Sequence, residues 1–472
     1  MGGIHEECGV FGVYSSRRTH VADTVYYGLY ALQHRGQESC GITVNDDGVF
    51  ASQKGLGLVS EVFTQASLAA FPEGSIAVGH TRYSTTGCSS IKNCQPIEVD
   101  HQKGKLAIAH NGNLSNASKL RSDLELSGAI FHSSSDTEII AYLITKERLR
   151  TDCIEDAVSR AVELLEGAFS LVIMSARKLI CVRDRHGFRP LCYGVMPDGA
   201  YAVASESCAL DAVGAKFIRD VEPGEMIVFS PQGVVFRREK RLTVPAKHCV
   251  FEYIYFARPD SVIDGVAVHS SRVRAGEILA EEYPVKADIV IGVPDSGLDG
   301  ALGYARRSKI PYGIGLIKNK YVGRTFIVSD GRMNQVRIKL SAVGAEIFGN
   351  RVVLIDDSIV RGTTSGRIIA LLREAGAKEI HMLVTAPPFL FPCYYGTDVN
   401  SKDELIAIDK TPAEIAKLIG ADSLGFFPLS RLHEYANGLG LCSSCFSGDY
   451  PTDVANVTIK NRFERKLSEA VD

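Results

Sequence analysis

Residues 351–377 read RVVLIDDSIVRGTTSGRIIALLREAGA, and three elements follow one another along them. Residues 352–355 form a short apolar run rich in β-branched side chains, the pattern of a strand buried in a parallel sheet. The run ends on two carboxylates, Asp356 and Asp357. A turn crowded with hydroxyls, a cation and glycine comes next, through Ser358, Arg361, Gly362, Thr363, Thr364 and Ser365. Ile368, Ile369, Leu372 and Ala375 then recur at helical spacing, and Gly376 stops the helix. Strand, turn and helix N-terminus together gather backbone N–H groups and a positive dipole end, which suits a phosphate. The acidic pair adds carboxylates placed to hold a sugar's hydroxyls or a magnesium ion. A plain βα connection with a surface acidic pair is the competing reading. The density of polar side chains directly after a buried strand weighs against it.

Working outward, residues 287–293, 313–317 and 380–385 are further apolar runs with helical segments between them. That alternation predicts a parallel, doubly wound sheet over the second half. The first half reads differently, as many short strands broken by glycine. Strands are expected at 76–79, 106–109, 169–174 and 179–182, and helices at 22–32, 137–146 and 156–165. A basic stretch at 237–245 is the natural join, which divides the chain into 8–240 and 241–472.

The chain has 472 residues, enough for two or three domains with ample core. A net charge of −3 with 23% charged residues favours neither nucleic acid nor an anionic membrane as a bulk partner. No apolar run approaches the ~20 residues needed to span a bilayer, and the N-terminus lacks a signal pattern. The cytoplasm is therefore the expected compartment, where the 12 cysteines are not a disulfide framework.

Several polar motifs stand in the first half: Cys8 ahead of an apolar strand, Gln33-His34-Arg35-Gly36-Gln37, His80-Thr81-Arg82-Tyr83, His110-Asn111-Gly112-Asn113 and Ser135-Asp136-Thr137. This set resembles the glutaminase domain of N-terminal-nucleophile amidotransferases. The loop at 356–365 resembles the 5-phosphoribosyl-1-pyrophosphate (PRPP) loop of type I phosphoribosyltransferases. The two in this order resemble the amidophosphoribosyltransferase family, from Cys8 to about residue 451, and within it the iron–sulfur branch. The resemblance implies an α+β N-terminal-nucleophile fold (an αββα sandwich) followed by an α/β type I phosphoribosyltransferase domain with a parallel sheet. It also implies an enzyme that releases ammonia from glutamine and adds it to PRPP, giving 5-phosphoribosylamine, pyrophosphate and glutamate at the opening of purine synthesis. Purine-nucleotide feedback and a homotetramer come with the family.

Cleaving off residues 1–7 makes Cys8 the first residue and sets its own α-amine, of pKa about 7.7–8.0, beside its thiol. Nucleophile and base then share one residue. By resemblance, Asn111 and the Gly112 N–H form the oxyanion hole. Arg82 holds the substrate α-carboxylate and Asp136 its α-ammonium, while Arg35 and Gly36 belong to the glutamine-binding loop over the nucleophile. Taken alone, Asn111-Gly112 is a common hairpin dipeptide, and Arg82 and Asp136 would read as surface ion-pair residues.

PRPP needs surfaces for a 5-phosphate, two ribose hydroxyls and a magnesium-bound pyrophosphate. The resemblance implies that Asp356, Asp357, Ser358, Arg361, Gly362, Thr363, Thr364 and Ser365 bind PRPP, with Lys318 and Lys320 as pyrophosphate cations. Ser296, in the turn Val293-Pro294-Asp295-Ser296-Gly297, joins Asp356 and Asp357 as the implied Mg²⁺ ligands. Residues 324–340 resemble a loop that closes over PRPP and completes an ammonia passage. The stretch Val328-Ser329-Asp330-Gly331 departs from the family pattern and is shorter, which bears on how tightly the two half-reactions are coupled.

Cys442 and Cys445 form a Cys-x-x-Cys pair, and with Cys249 and Cys393 they match the family's cluster ligands. Four thiolates suit a [4Fe–4S] cluster or a zinc ion equally by count; the resemblance implies the cluster. Two other function classes stay open. A different glutamine amidotransferase has no need of the loop at 356–365, and a non-catalytic PRPP or nucleotide sensor has no need of an oxyanion hole.

Overall fold

The computed structural model describes residues 8–83, 90–238, 244–319, 321, 339–397, 399 and 401–454. Cys8 leads into the strand Gly9–Thr19, which lies inside a seven-stranded antiparallel sheet between Gly74–Arg82 and Tyr201–Ala204. Its first seven residues, 9–15, are buried on both faces, and the period of two sorts them. Val10 and Tyr14 point one way, Phe11 and Val13 the other. Val10 and Tyr14 meet Ala107, Ala109, Val172 and Met174 of a second, six-stranded antiparallel sheet. Helix Val21–Ala31 covers the outer face of the first sheet through Val25 and Leu29. Helices Asp136–Arg148 and Ile154–Val162 cover the second through Ile140, Ile144 and Val158. Helix, sheet, sheet and helix are stacked in that order, so the expected αββα sandwich is what the first half builds.

The second half holds a four-stranded parallel sheet in the order Ile289–Gly292, Arg351–Asp356, Glu379–Val384, Ser423–Phe426. Val352, Val353, Leu354 and Ile355 are all fully buried, as a continuous apolar run in such a sheet requires. Helices Val268–Glu282 and Gly297–Ser308 touch backbone to backbone over this sheet. A Cβ on Gly276 would stand 1.8 Å from the Gly300 carbonyl oxygen, so only glycine fits there.

One expected strand is corrected. Of residues 313–317 Gly313 alone hydrogen-bonds the parallel sheet among the described residues, its N–H donating to the Val290 carbonyl at 2.9 Å next to the isolated bridge of Tyr312 with Val290. Leu316–Lys318 instead pairs antiparallel with Leu340–Ala342. The reason is steric: Gly313 and Gly315 lie directly on Ile289 and Ile291, leaving Ile314 and Ile317 exposed. The fourth strand, Ser423–Phe426, was not anticipated in its place.

Within the second half a short parallel bridge pairs His248–Cys249 with Leu441–Cys442, and the Cys249 N–H reaches the first half by donating to the Phe188 carbonyl at 3.1 Å. Phe188 stacks on Tyr395 at 4.3 Å, and Asn113 Nδ2 donates to the Tyr394 carbonyl at 2.9 Å. Among the described residues no helix is long and apolar enough to cross a membrane.

Candidate active sites

Cys8 is buried at the head of its strand, its thiol 3.5 Å from the Tyr83 carbonyl oxygen. Its own carbonyl accepts from Arg35 Nε at 3.0 Å. Antiparallel pairing of Gly9 with Thr81 brings Arg82, at the end of the neighbouring strand, to the same end of the sheet. Arg82 Nη1 lies 3.5 Å from Glu38 Oε2. Gly36 packs on the backbone between Thr81 and Arg82, where a Cβ would come within 2.6 Å.

Asn111 and Gly112 lie on the strand Gly104–Leu114 of the second sheet. Asn111 is fully buried, yet neither its Nδ2 nor its Oδ1 has a hydrogen-bond partner among the described residues. A buried amide without a partner costs about 1–3 kcal/mol, which is tolerable where a ligand supplies the missing bond. Gly112 has φ +138°, and a Cβ there would stand 2.2 Å from the Ala168 carbonyl oxygen. The position accepts only glycine. Asp136 opens the helix Asp136–Arg148, capped by Ser135, and its Oδ2 accepts from the Leu114 N–H at 3.0 Å. That bond fixes the carboxylate against the strand carrying Asn111.

His80 sits beneath this group, its Nε2–H donating to the His110 carbonyl at 3.0 Å. Burial pushes its pKa down to about 3 and the Arg82 charge adds to this, against the His110 hydrogen bond. Folding thus keeps the ring neutral, whereas the unfolded chain protonates it below about pH 6.5. Native stability falls as pH drops through this window. Relative to wild type, a His80→Gln variant is expected to gain about 2 kcal/mol of unfolding free energy between pH 7 and pH 5, read by denaturant titration.

The second site is a cavity of about 780 Å³ at the carboxyl ends of the parallel strands. Asp356 ends the strand Arg351–Asp356 and Asp357 follows it, both less than one-tenth exposed. Ser296 Oγ donates to Asp357 Oδ2 and Ser358 Oγ to Asp357 Oδ1, each at 2.5 Å. Burial and the neighbouring Asp357 charge push the Asp356 carboxyl well above its ordinary range. Burial also raises Asp357, against hydrogen bonds from Ser296 and Ser358 and the positive charge of Arg272. Gly362, at φ +74°, turns the chain into the helix Thr363–Glu374. The first-turn N–H groups of Thr364 and Ser365, which have no partner within the helix, thus lie at the cavity. Arg361 and Lys318 also line it, Lys318 Nζ bonding Asp295 Oδ2 at 2.5 Å. Lys320, residues 1–7 and nearly all of the expected closing loop, including 328–331, lie outside the described residues.

Cys249 and Cys442 face each other across the parallel bridge, and Cys445 follows in the turn Ser444–Ser447. Cys393 Sγ accepts from the Tyr395 N–H at 3.4 Å. Burial pushes the Cys445 thiol well up, and negative charge on Cys393, Cys442 and Cys249 pushes it further, so the four sulfurs share one neighbourhood. Among the described residues no group of three or more His, Cys, Asp or Glu converges as on a single metal ion.

Sequence reading missed the residues that link the two sites. His34 and Gln37, from the first half, line the phosphoribosyl cavity. Arg35, expected against glutamine, has its guanidinium turned instead onto Glu206, Glu252 and the Cys8 carbonyl. Nothing in the spacing of Glu206 or Glu252 announces this, because their partner lies 171 and 217 residues away.

The chain matches the glutamine amidotransferase domain model over residues 80–212 and the phosphoribosyl transferase domain model over 272–411. It is 48% identical to the amidophosphoribosyltransferase of Methanocaldococcus jannaschii, covering 95% of this chain and 98% of that one. With the Bacillus subtilis enzyme of that name it shares 46% identity, covering 97% and 96%. The solved structure of B. subtilis glutamine PRPP amidotransferase complexed with ADP and GMP superposes with a TM-score of 0.88, covering 96% of this chain and 99% of that one. With an αββα amidotransferase half, a phosphoribosyltransferase half and near-complete coverage by these relatives, the chain belongs to the amidophosphoribosyltransferase family.

Proposed function

We propose that this chain hydrolyses glutamine at Cys8 and passes the ammonia to PRPP bound over Asp356, Asp357 and the turn 358–365. The observation that carries this reading is that two consecutive residues reach the two sites. Arg35 binds the Cys8 carbonyl, and His34 lines the phosphoribosyl cavity. The division runs 8–240 for glutamine hydrolysis and 241–472 for phosphoribosyl transfer.

Removal of residues 1–7 frees the α-amine of Cys8, which takes the thiol proton as sulfur attacks the carboxamide carbon. Asn111 Nδ2 and the Gly112 N–H donate to the oxygen that becomes negative. Arg82 and Asp136 hold the substrate's α-carboxylate and α-ammonium, with Arg35 and Gly36 shaping the loop beside them. The leaving nitrogen takes the proton back from the α-amine and departs as ammonia, and water releases glutamate from the thioester. In the second half, the first-turn N–H groups of Thr363, Thr364 and Ser365 hold the 5-phosphate, with Ser358, Arg361 and Gly362 shaping the turn. Lys318 and Lys320 attract the pyrophosphate.

Ser296, Asp356 and Asp357 offer only oxygen donors, and two buried carboxylates side by side suit a hard divalent cation. Bound Mg²⁺ would neutralise the leaving pyrophosphate. Cys249, Cys393, Cys442 and Cys445 suit a [4Fe–4S] cluster. Four thiolates suit a zinc ion equally by count, and it is the family resemblance that favours the cluster. Its role is structural, tying the C-terminal segment to both halves. Anaerobically purified protein is expected to contain iron and acid-labile sulfide in equal amounts, and Cys445→Ser to lose both together.

Purine nucleotides as feedback ligands, a homotetramer and a cytoplasmic location complete the reading. The first is supported by the ADP and GMP bound to the B. subtilis protein.

The test is pyrophosphate release from PRPP with Mg²⁺, once with glutamine and once with ammonia. Release with both donors supports the two-site enzyme. Release with ammonia alone removes Cys8 from the scheme, and release with neither favours the sensor.

A further inference from the structure

Arg35 is fully buried, and all three of its guanidinium nitrogens are engaged. Nε donates to the Cys8 carbonyl at 3.0 Å, Nη1 to Glu206 Oε1 at 2.6 Å and Glu252 Oε2 at 2.9 Å, and Nη2 to Glu252 Oε1 at 2.8 Å. Glu206 belongs to the amidotransferase half. Glu252 belongs to the other half, where it begins the π-helical turn Glu252–Phe256. Arg189 Nη1 donates to the same Glu252 oxygen at 3.2 Å, so one carboxylate of the phosphoribosyl half is held between two arginines of its neighbour.

The far side of that turn is also tied down. Arg272 donates from Nε to the Tyr253 carbonyl at 2.7 Å and from Nη2 to those of Tyr255 at 3.0 Å and Ala257 at 2.7 Å. Arg272, Tyr255 and Ala257 line the phosphoribosyl cavity. An unbroken chain of buried hydrogen bonds therefore runs from the cavity wall through 253–257, Glu252 and Arg35 to the residue that carries the nucleophile.

The geometry of the Arg35–Glu252 contact decides what it does. A bidentate pair between the two Nη groups and both carboxylate oxygens fixes the guanidinium plane. Nε–H lies in that plane, so fixing it fixes the bond to the Cys8 carbonyl and with it the Cys8–Gly9 peptide. The Cα–Cβ direction of Cys8 is set by that peptide. Glu206 alone, touching Nη1 through one oxygen, leaves the plane free to turn.

We propose that Glu252, a residue of the phosphoribosyl half, is a positioning residue for Cys8, acting through Arg35. The inference rests on the glutaminase reading above. Wild-type glutaminase activity is therefore measured first, and its absence overturns that reading and this one together.

Given an active wild type, the variants are Glu252→Gln, which keeps the shape without the charge, and Glu252→Asp, which keeps the charge but shortens the reach. Three quantities are read on full-length protein: glutaminase kcat and KM, alkylation rate of Cys8 by iodoacetamide, and phosphoribosylamine formation from free ammonia. The expected result is a fall of roughly 10- to 100-fold in glutaminase kcat, the scale of a misplaced reacting group, with KM for glutamine unchanged. Cys8 alkylation slows in parallel, and the ammonia-dependent rate stays at its wild-type value. Unchanged glutaminase and alkylation overturn the proposal while leaving the glutaminase reading intact. A parallel loss of ammonia-dependent activity in both variants also overturns it, by making Glu252 a packing residue. Should Glu252→Gln not fold, Glu252→Asp carries the same decision.

Discussion

Cys8→Ala is expected to abolish glutamine-dependent formation of phosphoribosylamine and leave the ammonia-dependent reaction at its wild-type rate. The loss follows from what the thiol alone supplies. Water is a poor nucleophile toward a carboxamide, and the substitution removes the thiol that forms the acyl intermediate. Removing the nucleophile of a preorganised acyl-transfer site costs about 10³- to 10⁶-fold in kcat, the residue being what the oxyanion donors and binding groups still provide. Those donors are untouched by the substitution, since Asn111 and Gly112 lie on the opposite sheet, on the strand Gly104–Leu114. Free ammonia needs none of this machinery, because it enters the second site as the finished nucleophile. Parallel assays with the two nitrogen donors therefore separate the halves in one experiment. Loss of both activities would mean that the first half is needed to fold the second, and retention of both would remove Cys8 from the mechanism.

How much of this was legible in the sequence depends on how local the signal is. The strand 352–355, its acidic pair and the helix after it were readable because one continuous stretch carries the whole unit, and the structure has it at Arg351–Asp356 and Thr363–Glu374. The strand behind Cys8 was readable too, although its alternation is masked by burial on both faces. Residues 313–317 misled because Ile314 and Ile317 imitate a buried strand, while the glycines on either side of Ile314 let Ile289 and Ile291 approach. Tertiary packing overrode the local pattern there. The largest gap was Arg35. A loop arginine beside a nucleophile reads naturally as a substrate ligand, and only the fold reveals that its two carboxylate partners come from far along the chain. Pairs of that kind have no period and no spacing, so no inspection of the sequence could have found Glu206 or Glu252.

Asp357→Asn is expected to reverse the pattern of Cys8→Ala, eliminating transfer with either nitrogen donor while glutamine hydrolysis continues. Asp357 cannot be spared because both its oxygens are already oriented, by Ser296 and Ser358, toward a cavity that must hold a cationic, hydroxyl-rich ligand. An asparagine keeps the shape and loses the charge. Loss of a metal-orienting carboxylate weakens metal binding about 10- to 100-fold, and loss of one preorganised charge at a developing ionic centre costs another 10²- to 10³-fold. Together these put the transferase at least about 10³-fold down in kcat/KM for PRPP. Stability moves the other way. Burial and the like charge of Asp357 raise the Asp356 carboxyl above its ordinary range. A raised carboxyl binds its proton more tightly in the native state, so the free protein loses stability as pH climbs above about 3.9, and at neutral pH it carries that cost. Removing one of the two charges relieves it. In the absence of Mg²⁺ and PRPP, Asp357→Asn is expected to melt above wild type at pH 7, with the difference shrinking as pH falls. A variant that melted below wild type at neutral pH would show that the pair is held by compensation elsewhere. A less active but more stable variant would identify the acidic pair as a site kept strained until its ligand arrives.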